Sequence, residues 1–189
     1  MVKKKCCVFI SGKGTNLVAL IKSSREYNFP VIIDLIVSNE KNAKGLNFAK
    51  IFNIDYRIYN INKKKHFEIL LNELNKRKIS LICLAGYMKI LSKEFIERFR
   101  GKIINIHPSL LPKYKGLNTF TKAIKNKDKQ AGCTVHYVNK KLDSGQIILQ
   151  KKVIINRNDT EKSLKEKIQK KEYKAYSEAV RKIFSNINS

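Results

Sequence analysis

Five short apolar runs alternate with amphipathic stretches through the first two thirds of the chain, and this alternation restricts the fold more than any other feature. "CCVFIS", "VIIDLIVS", "DYRIY", "LICLAG" and "KIINIH" are rich in Val, Ile and Cys and predict strands. Between them, "NLVALIKSS", "NAKGLNFAKIF" and "KKHFEILLNELNKRK" carry apolar residues three and four apart and predict helices. A βαβα order joins parallel strands through crossover helices, so the expected architecture is α/β, a mostly parallel twisted sheet flanked by helices. After Gly116 the texture changes. "LNTFTKAIKN" predicts a helix, "AGCTVHYV" and "GQIILQKKVII" an appended antiparallel hairpin with a turn at Leu142 to Gly145, and the stretch from Thr160 to about Phe184 a long final helix behind an Asp-Thr cap. No repeat, linker or low-complexity boundary interrupts the 189 residues, so a single domain over 1–189 is expected.

The formal net charge of +25 raises the question of nucleic acid. The lysines, however, are spread over most helices rather than gathered in one tract, and read as solvated faces; the same field suits small phosphorylated or polycarboxylate ligands. No apolar run reaches membrane-spanning length. Cys6, Cys7, Cys83 and Cys133 lie inside strand-like runs without C-x-x-C spacing, which argues for buried thiols in a reducing cytoplasm rather than a zinc site or a disulfide framework. No metal is expected.

Two segments carry chemistry. "SGKGTN" ends the first strand and feeds a helix, exposing backbone N–H groups where the helix dipole favours an anion. Leu17 stands at the third glycine position of a dinucleotide fingerprint and no G-K-[ST] closes the loop, so a phosphate monoester suits it better than NAD or ATP, unless the glycines serve only a tight turn. In "INIHP", Asn105 and His107 are two apart on a strand and share a face, and Pro108 ends that strand at its carboxyl end, where open α/β sheets bind ligands. A carboxamide beside an imidazole can stabilise an oxyanion and move a proton. Asp143, in "KKLDSGQ", suits a hairpin corner, and is also the candidate carboxylate to favour a charged His107. His136 reads as a strand histidine and His66 as a helix-surface residue.

"ISGKGTNL", "LAGYMKILS", "NIHPSLLPKYKGL", "GCTVH", "LDSGQIILQ" and "IQKKEY", in this order and spacing, resemble the phosphoribosylglycinamide formyltransferase family of folate-dependent enzymes over nearly the whole chain. The resemblance implies a Rossmann-like formyltransferase fold and direct transfer of the formyl group of 10-formyltetrahydrofolate to the amine of glycinamide ribonucleotide, in purine synthesis, without a metal or a covalent enzyme intermediate. It implies a ribonucleotide phosphate site in the N-terminal half and a folate site in the C-terminal half. Asn105, His107 and Asp143 would be catalytic; Gly14, Thr15, Asn16, Gln169 and Glu172 would hold the ribonucleotide. Lys64, Met88, Lys89, Ile90, Leu91 and the loop Asn139, Lys140, Lys141, Leu142 and Asp143, with Asn105, would line the folate site. The partners are then small molecules, with no membrane and no nucleic acid, in a monomer or homodimer. Lysine replaces the family's usual arginine at Lys64 and Lys89, Ser144 stands where glycine is frequent, and Thr15 replaces a common serine. Related enzymes that formylate methionyl-tRNA or an amino sugar share an Asn-x-His-Pro segment, but "SGKGTN" with "QKKE" fits a small phosphorylated acceptor. A basic binding module without catalysis is the rival of another class, and predicts salt-sensitive affinity for nucleic acid and indifference to loss of His107.

Overall fold

A computed structural model describes residues 2–61 and 63–185. The strands and helices are β1 (Lys4–Ile10), α1 (Thr15–Ser24), β2 (Val31–Ser38), α2 (Leu46–Ile51), β3 (Tyr56–Ile58), α3 (Lys64–Lys76), β4 (Ile79–Leu84), α4 (Lys93–Arg98), β5 (Lys102–His107), α5 (Thr119–Lys125), β6 (Gln130–Tyr137), β7 (Ile147–Ile154) and α6 (Glu161–Ser185). Strand order is β3-β2-β1-β4-β5-β6-β7, so the sheet has seven strands. The α/β expectation holds. The chain divides into two compact units, Met1–Asn105 and Ile106–Ser189.

In the first unit β1 pairs in parallel with both β2 and β4, β2 with β3, and β4 with β5. Cys6 through Ile10 are entirely buried, which explains why β1 reads as an unbroken apolar run: a parallel strand covered on both faces has no polar side to present. The helices bury one stripe each, Leu17, Leu20 and Ile21 on α1, and Phe67, Leu70, Leu71 and Leu74 on α3. α2 occupies only the second half of the stretch expected to be helical. α4 was not foreseen; its six residues are too few to show a period, and its start is marked by Ser92, whose side chain accepts from Phe95 N at 3.1 Å. At the base of this unit Arg77 reaches Asp34 at 3.1 Å, Asp55 at 2.6 Å and Glu73 at 3.0 Å.

In the second unit β6 and β7 form the expected antiparallel hairpin, with a break in register between Val135 and His136. α6 starts with a reciprocal cap in which Thr160 N donates to Ser163 Oγ and Ser163 N donates to Thr160 Oγ1, at 3.0 and 3.2 Å. Its buried stripe runs Leu164, Ile168, Glu172, Ala175, Tyr176, Ala179, Val180 and Ile183. A glutamate thus occupies a core-facing position. All four cysteines are buried and free, with Cys6 Sγ 3.6 Å from Cys83 Sγ.

Candidate active site

Within the second unit, His107 closes β5 and Asp143 sits in the turn before β7, with φ of 44°. The fold brings them together: His107 Nδ1 lies 3.4 Å from Asp143 Oδ2. Both are nearly sealed from water, at 6 % and 8 % exposure. The other ring nitrogen, Nε2, is 2.8 Å from the Tyr114 carbonyl, which can only accept, so Nε2 carries a hydrogen. Gly116 N donates to Asp143 Oδ2 at 2.8 Å.

Tyr114 is presented to His107 by a braced loop. Ser109 Oγ donates to the Lys113 carbonyl, Thr134 Oγ1 donates to the Ser109 carbonyl and accepts from Leu111 N, and Gln150 Nε2 donates to the Leu111 carbonyl. Side chains of the β6–β7 hairpin therefore hold the loop at Ser109 and Leu111. "PSLLPKY" is a rigid support for the imidazole and not a free excursion.

The expected charge balance is altered. Burial of the ring is the largest influence on His107 and holds the imidazole below its ordinary value; the Tyr114 carbonyl and Asp143 act the other way without overcoming it. Asp143 itself is kept below the usual carboxylate range: burial acts against this, and hydrogen bonding from His136 and Gly116 with the neighbouring rings overcomes it. Burial and the neighbouring carboxylate thus pull the His107 proton in opposite directions, with burial the larger influence.

A third group, His136, joins this cluster and was not expected there. Its Nε2 is 3.6 Å from Asp143 Oδ1, and its Nδ1 donates to the Tyr137 carbonyl at 2.8 Å. No spacing rule links positions 136 and 143. The one available signal was a polar ring inside "GCTVHYV", a strand otherwise suited to a core. Asn105 lies two residues before His107 on β5, half-buried, on the face that strand alternation gives to His107.

In the first unit Gly14 caps α1 with φ of 74°, and a Cβ there would come within 2.7 Å of Gly45 Cα. Gly45 N donates to the Gly12 carbonyl at 2.9 Å, locking the loop in place. Gly14 has no side chain with which to cap the start of the helix. Thr15 and Asn16 form the first turn of α1, Asn16 being buried.

The remaining expected residues divide by unit. Lys64 opens α3; Met88 and Ile90 are exposed, while Leu91 is buried. The Met88 N–H is fastened to Ser11 Oγ at 2.7 Å. Lys89 lies between the two exposed apolar residues in sequence. In the second unit Asn139 braces its own loop, accepting from Lys141 N at 2.9 Å and donating to the Ser144 carbonyl at 3.1 Å. Ser144 Oγ donates to the Leu142 carbonyl and accepts from Lys115 Nζ, so serine adds two bonds that glycine would lack. Lys140 and Lys141 are exposed along this loop. Gln169 and Glu172 stand at i and i+3 on α6, and the buried carboxylate of Glu172 interrupts the apolar stripe.

The signature of the formyl transferase family matches residues 4–180, nearly the whole chain. A phosphoribosylglycinamide formyltransferase of Haemophilus influenzae is 42% identical over 177 residues, covering 92% of this chain and 84% of that protein. The chain belongs to this family. Solved structures agree: the phosphoribosylglycinamide formyltransferase of Brucella melitensis superposes with a TM-score of 0.91 at 36% identity, over 96% of both chains. That of Anaplasma phagocytophilum gives 0.88 at 40% identity, over 95% of this chain and 86% of the other. A human trifunctional purine biosynthetic protein is 40% identical over 97% of this chain, which spans 18% of that protein's length. Among the described residues no cluster of His, Cys, Asp and Glu is arranged to hold a metal ion, and no helix is long and apolar enough to cross a membrane.

Proposed function

We propose that the chain transfers the formyl group of 10-formyltetrahydrofolate to the primary amine of glycinamide ribonucleotide, a step of purine synthesis. Likeness to phosphoribosylglycinamide formyltransferases over nearly the full length supports the reaction. The observation that carries the mechanism is the buried His107–Asp143 pair.

The amine nitrogen attacks the formyl carbon, forming a C–N bond while the carbonyl oxygen gains negative charge. Asn105 supplies a donor to that oxygen. Neutral His107, with its proton held at Nε2 by Tyr114, offers Nδ1 as the acceptor for the proton that the amine sheds, directly or through a water. The imidazolium formed is stabilised by Asp143 and adds positive charge beside the oxyanion. The bond from the formyl carbon to N10 then breaks, and the same proton passes to N10, leaving tetrahydrofolate. No net proton is taken up. Holding both substrates at once supplies the remaining acceleration, so initial-rate kinetics are sequential.

Gly14, Thr15 and Asn16 bind the ribonucleotide phosphate through backbone N–H groups at the start of α1. Gln169 and Glu172 hold its ribose or glycinamide arm. Lys64, Met88, Lys89, Ile90, Leu91 and the 139–143 loop receive the folate, the lysines replacing a planar guanidinium by a point charge toward its glutamate tail. The partners are small molecules, and the assembly is a monomer or homodimer. Free, buried thiols suit a reducing cytoplasm.

A coupled assay with purified protein tests this reading. It expects tetrahydrofolate release that depends on glycinamide ribonucleotide. Formylation of methionyl-tRNA instead, or of neither acceptor, sinks it.

A further inference from the structure

Tyr114 has a backbone conformation that its residue type resists. Its φ of 57° lies in the left-handed region, where the Cβ of an L-residue crowds the following carbonyl oxygen and a bulky side chain is an outlier. Gly116, two residues on, has φ of 74°, which glycine adopts without penalty. The strain of this short segment therefore falls on the tyrosine. Both ends of the segment meet the His107–Asp143 pair: the Tyr114 carbonyl accepts from His107 Nε2 at 2.8 Å, and Gly116 N donates to Asp143 Oδ2 at 2.8 Å. A return of Tyr114 to negative φ turns the main chain and breaks these contacts.

Strain of this kind persists only where the surroundings enforce it. The β6–β7 hairpin braces the start of the loop, at Ser109 and Leu111. Close packing does not hold its end, because a cavity of about 30 Å³, the space of a water molecule or two, lies behind it against Ser109, Tyr114, Thr119, Ala123, Asp128 and Ile168. The Tyr114 side chain is instead tied to the turn that follows α5. Asn126 Nδ2 donates to Tyr114 Oη at 2.7 Å, and Asn126 is itself fixed as the C-cap of α5, its N–H donating to the Lys122 carbonyl at 3.0 Å. Lys113 Nζ lies 5.0 Å from the centre of the Tyr114 ring and 2.6 Å from Asp128 Oδ1, which draws the same ring toward the same turn. The steps of formyl transfer use neither the phenol of Tyr114 nor the amide of Asn126.

We infer that Tyr114 and Asn126 are positioning residues for formyl transfer: the bond between their side chains holds Tyr114 in its left-handed backbone, directs its carbonyl to His107 and so fixes which ring nitrogen carries the hydrogen. The inference rests on the reading that His107 accepts the proton shed by the amine. Both nitrogens of His107 face an acceptor, the Tyr114 carbonyl at 2.8 Å and Asp143 Oδ2 at 3.4 Å. In the neutral ring one nitrogen carries the hydrogen and the other the lone pair. With the carbonyl in place the hydrogen stays on Nε2, and Nδ1 is the base. With the carbonyl turned away the carboxylate draws the hydrogen to Nδ1, and the lone pair passes to the wrong side of the ring.

The test uses the full chain with Tyr114→Phe, Asn126→Ala, the two combined, and Asn126→Asp, each checked for native circular dichroism. The aspartate can accept from the phenol and so restores the bond with its direction reversed. Nitrogen NMR of histidine-labelled, substrate-free protein, above the pH at which His107 titrates, reads the tautomer. Wild type carries the hydrogen on Nε2, and Tyr114→Phe and Asn126→Ala each raise the share on Nδ1. In the formylation assay each lowers kcat by about fivefold, the loss expected for one hydrogen bond, with both KM values within about threefold. The double variant falls no further than either single one, because both remove the same bond, and Asn126→Asp recovers most of kcat. An unmoved tautomer in the folded variants overturns the inference whatever the assay gives. A double variant whose losses multiply also overturns it, since the two side chains then act separately. A wild-type chain that formylates neither glycinamide ribonucleotide nor methionyl-tRNA while the tautomer shift is present overturns instead the reading of His107 as the base, and leaves its orientation by Tyr114 standing.

Discussion

Gly116 donates its backbone N–H to Asp143 Oδ2 at 2.8 Å, and that is the oxygen lying 3.4 Å from His107 Nδ1. The main chain therefore aims the carboxylate independently of the histidines. An asparagine at 143 would keep an acceptor for Gly116 and also tolerates the left-handed backbone, with φ of 44°. Asp143→Asn separates charge from position. Steady-state kinetics should show kcat lowered by about 10²–10⁴-fold with little change in the ribonucleotide KM. A variant within tenfold of wild type would show that the charge is not used.

The direction of the His107 shift sets the pH response. Burial lowers its folded-state value below the ordinary imidazole value of about 6.5, so the neutral base persists to lower pH than in a free histidine. The acid limb of kcat should consequently lie below about pH 6.5, with a flat profile through neutrality. Stability follows the same sign. As pH falls below the unfolded imidazole value, the unfolded chain binds a proton that folded His107 resists, so the native state loses stability. His107→Gln removes that component, and urea titrations at several pH values measure it.

Gly14 is required twice, by φ of 74° and by its approach to Gly45. Gly14→Ala brings a Cβ within 2.7 Å of backbone, so the loop must move away from the helix end. Calorimetry should find ribonucleotide affinity lowered by about tenfold or more, with the His107 titration unchanged. Gly86 also has φ of 74°, but a Cβ there would meet nothing within 4 Å, so Gly86→Ala carries backbone strain alone. Equal losses of ribonucleotide affinity in both variants would argue against the phosphate loop.

Thr160 begins α6 by the reciprocal bonds with Ser163, and Asp159 reinforces the start. The Lys167 ammonium, with Asn156 N–H and Ser163 Oγ, holds the Asp159 carboxyl down to about 2. Thr160→Ala should cost about 1 kcal/mol, seen as a fall of about 2–4 °C in Tm, without altering KM for either substrate. No change in Tm would mean that Asp159 alone suffices as the cap.

Much of this was legible before folding. β2 and β5 fall on the residues marked by their Val- and Ile-rich runs, and α3 begins where its apolar period begins. Pro108 ends β5 at His107, as its missing N–H and its restriction on the preceding residue require. The pairing of His107 with Asp143 was also foreseeable, because a lone carboxylate in "KKLDSGQ" was the obvious partner for a histidine at a strand end. α4 was not visible, since six residues do not complete two helical turns. Nor was His136, because a histidine in an apolar strand reads the same whether its ring meets a carboxylate or a carbonyl.

Residue order alone was enough to set the succession of strands and helices, the glycine loop at the start of α1 and the chemistry available to Asn105, His107 and Asp143. These are local properties, fixed by side-chain period, backbone freedom and residue type. Folding added which nitrogen of each histidine carries a hydrogen, that His136 shares Asp143 with His107, and that burial outweighs the carboxylate in setting the His107 proton. Each is a balance between groups from separate elements in a place closed to water. Desolvation and charge act there over a few ångströms, a distance that exists only after the chain has folded.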